Sequence, residues 1–122
     1  MSAPRGGELP FPLQPGEQLL RSGRANMQRG AETVGGTLHL TSDRLVFVPH
    51  SLNLSSAPSG LRLADIAAVA PAWTKLLGVL PLANNSLALT LRDGNVESYV
   101  VPGRKDWMDA IDRARGGDAS VR

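Results

Sequence analysis

The chain has no cysteine, which excludes disulfide staples, thiolate metal sites and cysteine nucleophiles. It has no apolar run near the roughly 20 residues that a membrane-spanning helix needs. Residues 1–7 carry no apolar stretch of the kind a secretory signal requires, so none is expected. A reducing cytoplasm is the expected location, with the inner membrane surface as the alternative, and the sequons at Asn53 and Asn84 read as chance matches. Lysine is scarce: Lys75 and Lys105 stand among mostly arginine cations. A net charge of +2 without a clustered basic face excludes nucleic acid as a partner.

Chemistry-bearing motifs are also missing. His39 is expected on an outward-facing strand position and His50 at a loop start, and neither has an acidic pair at ligand spacing. No nucleophile elbow occurs, and Gly35-Gly36 is followed by neither Lys-Ser/Thr nor a helix, so it is no phosphate loop. Those glycines instead permit a bulge or a close backbone approach. The three-residue spacing of Asp106, Asp109 and Asp112 alternates with Arg104, Lys105, Arg113 and Arg115, which is the pattern of a solvated helix face with local ion pairs. No enzyme activity, metal or cofactor is expected.

What remains is a β grammar. Residues 37–41 and 44–48 alternate apolar and polar around Ser42-Asp43, the mark of a tight hairpin. A preceding strand is expected over residues 17–27, with Gly23 marking a bulge or bend, followed by a polar loop at 28–32. Residues 50–60 read as a loop, 61–63 as extended, Ala64-Asp65 as a jog and 66–72 as a strand. Residues 73–85 are taken as a long apolar connection. Residues 86–91 alternate cleanly, Asp93-Gly94 turns the chain, and 96–101 completes the pair with Tyr99 and Val101 inward. Residues 104–115 place Trp107, Ile111 and Ala114 on one helix face, and Gly116-Gly117 stops the helix. The fold class is therefore mainly β: a curved antiparallel sandwich or partly open barrel of about seven strands, capped by one C-terminal helix. One domain is expected over residues 8–116, with flexible tails at 1–7 and 117–122.

This order resembles the GRAM branch of the pleckstrin-homology (PH-like) superfamily. The resemblance rests on Phe11-x-Leu13, Gly16-Glu17-x-x-Leu20 and Gly36-x-Leu38-x-Leu40-Thr41-x-x-Arg44-Leu45-x-Phe47. It continues through Leu63-x-Asp65-Ile66-x-x-Val69, Asn85-Ser86-Leu87, Asp93-Gly94 and Arg104-x-x-Trp107-x-x-x-Ile111. It implies a non-enzymatic binding module. The family's lipid readers cradle phosphoinositide with basic residues on the first hairpin, where this chain has Arg21, Arg24 and Arg29. Arg21 and Arg24 are an odd number of residues apart and point to opposite faces of a regular strand, which does not make a phosphate clamp.

The candidate contact surface is the apolar segment WTKLLGVLPL, with Trp73, Lys75, Leu76, Leu77 and Leu80, assisted by Arg29 and Arg92. Two readings stand for it. It packs under the sheet as core, or it is exposed and docks a protein partner or a membrane surface. In the membrane case the leucines dominate, at roughly 1.5–3 kcal/mol each against about 1 kcal/mol for one cation near an anionic bilayer. A protein partner is the first expectation, a membrane surface the alternative, and self-association through an unpaired sheet edge is open to any such sheet. The arginine bias and the Ala and Gly content suggest a GC-rich bacterial origin.

Overall fold

The computed structural model describes residues 11–29, 32–50, 59–76 and 80–116, with backbone alone at residues 29, 59, 72–76 and 80–85. Seven strands precede one helix: β1 (Leu19–Arg29), β2 (Glu32–Thr41), β3 (Arg44–Pro49), β4 (Ser59–Arg62), β5 (Ile66–Leu76), β6 (Leu80–Leu91), β7 (Val96–Val100) and α1 (Arg104–Ala114). The jog expected at Ala64-Asp65 is a 3-10 turn over Leu63–Asp65. All strand pairs are antiparallel, in one open sheet of order β4-β3-β2-β1-β7-β6-β5.

The sheet folds over on itself, because a single apolar cluster draws Leu38, Leu40, Leu45 and Phe47 from one half and Leu87, Leu89 and Tyr99 from the other. The hinge of this arrangement is β1. It pairs with β2 along its whole length but with β7 only at Asn26, Met27 and Gln28. Among the described residues the first half of β1 therefore has a β partner on one side alone, and Trp107 of the C-terminal helix packs against it at Gly23 and Arg21. Trp107 and Ile111 are 2% and 0% exposed there. Gly23 is in register with Leu38 and is not a bulge, and it lies at this contact, where a Cβ would stand a tight 3.3 Å from Cζ2 of Trp107. The register shift that does occur in β1 lies between Leu19 and Arg21. Burying the indole and its neighbours contributes several kcal/mol at about 25 cal/mol per Å² of apolar area.

The hairpin turns fall where their residue types put them. Ser42-Asp43 separates β2 from β3, and Gly94 takes φ +96 between β6 and β7. Gly36 answers a close approach, since a Cβ would lie 2.3 Å from the Val48 carbonyl oxygen and 2.7 Å from Cζ of Phe47. Two expected connections are shorter in the structure. Strand β1 continues to Arg29 and β2 starts at Glu32, so residues 28, 29 and 32 of the loop expected at 28–32 belong to the strands. The connection expected over 73–85 is mostly strand, with β5 running to Leu76 and β6 beginning at Leu80.

His39 corrects another expectation. Its parity is outward from the main core, yet it is only 7% exposed. The reason is a strap: residues 11–17 lie across the outer face of β2 and β3, where Phe11 joins Val46 and Val48 in a second apolar cluster. The Phe11 ring meets the imidazole edge-on at 5.4 Å. Residues 45–49 of β3 are thereby buried on both faces.

Candidate functional site: a projecting hairpin and an arginine-lined cleft

The β5–β6 hairpin outgrows the sheet. The pairing of β6 with β7 ends at Ser86 opposite Val100, whereas β6 continues back to Leu80. Beyond that point the two arms pair only with each other among the described residues, through Thr74 and Ala83, Lys75 and Pro81, and Leu76 and Leu80. The result is a two-stranded projection carrying Trp73, Lys75, Leu76 and Leu80 on its backbone. Leu77 and the side chains of the other four lie outside the described set. A lone two-stranded ribbon is only marginally stable in water unless something packs on it.

Neither predicted arginine lies at that tip. Arg92 follows the opposite end of β6, where Leu91 pairs with Ile66, roughly 35 Å away along the strand at about 3.3 Å per residue. Arg29 ends β1, one residue beyond Gln28 opposite Ser98, and so is also remote from Leu76 and Leu80. The structure thus separates the apolar and basic parts of the expected surface.

Arg92 instead lines a cleft of about 660 Å³ with three arginines from other segments: Arg44 after the β2–β3 turn, Arg62 ending β4 and Arg115 following α1. Leu63 and Ile66 contribute its apolar lining. The corner is held by backbone hydrogen bonds. The Leu63 amide donates to the Asp43 carbonyl at 2.9 Å and the Arg92 amide to the Asp65 carbonyl at 2.9 Å. The guanidinium groups are committed to different degrees. Arg92 donates Nε to the Ala64 carbonyl at 2.7 Å. Arg115 donates Nη2 to the Ala67 carbonyl at 2.9 Å and Nη1 to Asp112 at 2.7 Å.

Arg44 is the most engaged. Its Nε donates to Oε2 of Glu17 at 2.9 Å and its Nη2 to Oε1 at 2.8 Å, while Nη2 also reaches the Pro12 carbonyl at 2.9 Å. The Glu17 side chain is fully buried. It also accepts from the Thr41 hydroxyl and from the Gln14 amide. The Arg44 hydrogen bonds outweigh the burial that opposes ionisation and hold this carboxyl at about 2, and the same contact raises the Arg44 value. This clamp fastens the strap and orients Arg44 at the cleft rim. Nearby, Ser22 Oγ and His39 Nδ1 are 2.7 Å apart, and burial lowers the imidazole pKa.

A second cleft, of about 730 Å³, lies where the link from β7 to α1 passes β1, with Arg24, His50, Arg104 and Lys105 in its lining. Arg104 Nη1 donates to the Ser86 carbonyl at 3.0 Å, and Lys105 pairs with Asp109 at 2.9 Å. Arg21, on the opposite face of β1 from Arg24, stacks its guanidinium 5.0 Å from the Trp107 ring centroid. The two do not converge. Among the described residues no group of His, Asp and Glu is placed to hold a metal ion, and no helix is long and apolar enough to cross a membrane.

Solved structures share this fold. The N-terminal PH domain of Vps36 superimposes with a TM-score of 0.64 at 19% identity, over 88% of this chain and 86% of that one. The N-terminal PH domain of human ARAP2 does so with a TM-score of 0.59 at 12% identity, over 80% of each chain. The fold is a pleckstrin-homology fold. The DH/PH fragment of PDZRHOGEF, solved with human RhoA, gives a TM-score of 0.63 at 13% identity, and there the match covers 83% of this chain but 29% of that one. No family model matches the sequence, and no curated protein matches it.

Within the PH-like frame, the arginines at 44, 62 and 115 are the residues that sequence reasoning missed. They come from segments far apart in the chain and meet only because the β4–β5 corner is tied to both flanking turns. The one available signal was the arginine bias itself, and it gives no positions.

Proposed function

We propose that this PH-like domain is a non-enzymatic adaptor whose projecting β5–β6 hairpin docks a protein partner. One observation carries the reading: beyond the last β6–β7 pair, residues 74–76 and 80–83 pair, among the described residues, only with each other, and Trp73, Leu76, Leu80 and Leu82 lie in this part of the sequence. A ribbon of this composition is stabilised by a surface that covers it. The separation of Arg29 and Arg92 from the tip favours a protein over an anionic bilayer, because Lys75 is left as the single cation on the arm. The order of motifs from Phe11 to Ile111 supports placing the domain in the GRAM branch.

Photo-crosslinking tests the reading. A benzoylphenylalanine at position 76 is expected to capture one discrete protein in cells, and the same group at the exposed Val96 is expected to capture none. Equal or absent capture at both positions removes the proposal. Cosedimentation with phosphatidylcholine–phosphatidylserine vesicles at low salt is the companion measurement. Pelleting that is abolished by Leu76→Asp would transfer the arm to the membrane.

A further inference from the structure

We propose that the cleft between the β2–β3 turn, the 3-10 corner and the end of α1 is a carboxylate-binding site for an acidic peptide segment. The proposal is independent of the hairpin arm and stands on the donor inventory of the cleft. Four guanidinium groups line it. Two are neutralised from behind, Arg44 by Glu17 and Arg115 by Asp112. The other two are not. Arg62 is exposed, and its guanidinium makes no hydrogen bond or ion pair with another described residue. Arg92 spends Nε on a neutral carbonyl and keeps both terminal nitrogens for a ligand.

That carbonyl matters for geometry as well as charge. The Ala64 oxygen fixes the Arg92 guanidinium, and Ala64 is two residues from Arg62 in the turn that is itself tied to Asp43. A planar fork held in place loses less entropy on meeting a planar acceptor, and carboxylates match that fork with two parallel hydrogen bonds. The size of the charge surplus selects the ligand. Asp43 also lines the cleft, so the two unmatched arginines face one carboxylate and the local excess is a single positive charge. A monoanion balances it, whereas a multiply charged phosphate would be left under-neutralised beside Asp43. Leu63 and Ile66 in the lining suit the aliphatic stem of a glutamate.

The probe is an acetylated, amidated hexaglutamate peptide titrated into the labelled full chain, with arginine Nε–Hε resonances observed by NMR. Saturable shifts are expected at Arg62 and Arg92, and Arg62→Glu or Arg92→Glu is expected to weaken binding at least about tenfold. Arg113→Glu makes the same charge change on an exposed position of α1 outside the cleft and is expected to leave the affinity unchanged. A neutral peptide with a free C-terminus, run in parallel, tells a terminal carboxylate from a side-chain one. No saturable shift, equal weakening by Arg113→Glu, or tighter binding of inositol hexakisphosphate than of hexaglutamate would each overturn the assignment. Arg62 is exposed, so its variants keep the fold, which the backbone amide spectrum verifies. Arg62→Gln serves as a second variant.

Discussion

The two faces of the β2–β3 hairpin are sealed in different ways. The inner face packs Leu38, Leu40, Leu45 and Phe47 into an apolar cluster closed by Trp107 and Ile111. The outer face packs Val46 and Val48 under Phe11, and its cover is fastened by the Glu17–Arg44–Thr41 network beside a buried His39. The inner seal depends on area and is indifferent to pH. The outer seal depends on one buried ion pair and is sensitive to pH and to single atoms. The same strand, β3, is thus held by non-directional burial on one side and by directional bonds on the other.

The largest effect is expected where buried area dominates. Trp107→Ala should lose about 4 kcal/mol, the order seen for large aromatic truncations in cores, because among the described residues no second strand pairs with the first half of β1 beside it. Chemical denaturation checks this, and the loss should be the same at pH 7 and pH 4. A pH-dependent loss would show that the helix seal contains a charge contribution of its own.

Glu17→Gln comes next and should break only the outer seal. The native carboxyl sits at about 2 against an ordinary 4.5, so its ionised form is favoured in the fold. Its contribution is fully present above pH 4.5 and disappears as pH falls toward 2. That depression corresponds to about 3 kcal/mol at pH 7. Wild type should therefore lose stability between pH 4.5 and pH 2, and the variant should show a flat profile through that window. Parallel profiles for the two proteins would remove the clamp from the account.

How much of this was legible depended on the range of each signal. The turns at Ser42-Asp43 and Asp93-Gly94, the leucine alternation of β6 and the Trp107–Ile111 face were all readable, because their cause lies within a few residues. Glu17 and Arg44 are 27 positions apart, and nothing local in either segment names the other. The parity of His39 was readable, but its burial was not, since the strap that covers it comes from another part of the chain. Residues 73–85 were read as a connection because their apolar run shows no clean period-two alternation, and Pro81 inside β6 punctuates it further. The cleft was illegible for the strongest reason: its four arginines belong to four segments and no periodicity relates them.

Phe11→Ala should have a smaller and more local effect, about 2 kcal/mol, because the ring is at the edge of a three-residue cluster and not at the centre of the main one. Hydrogen exchange distinguishes it from the preceding variants. Amides of the outer strap and of β2 near His39 should lose protection, while β6 and β7 should keep theirs. Exposure of His39 should also return its pKa toward the ordinary value, since burial is what lowers it, and imidazole NMR titration reads that directly. Loss of protection spread evenly over all seven strands would mean that the two seals are one cooperative unit.

The smallest effect tests whether charge pairing by itself is what matters. Lys105 and Asp109 are 2.9 Å apart, about as close as Arg44 and Glu17, yet the lysine side chain is 85% exposed and its partner 50%. Water screens both partners, and ordering two long side chains offsets most of the attraction. Lys105→Ala is expected to leave the melting temperature within experimental scatter, in low salt and at physiological salt alike. Equal distances with unequal consequences would place the cause in burial, since the two pairs differ chiefly in whether a carboxylate has been taken out of water. A Lys105→Ala loss as large as that of Glu17→Gln would break the distinction between the seals, because distance alone would then set the strength of an ion pair on this fold.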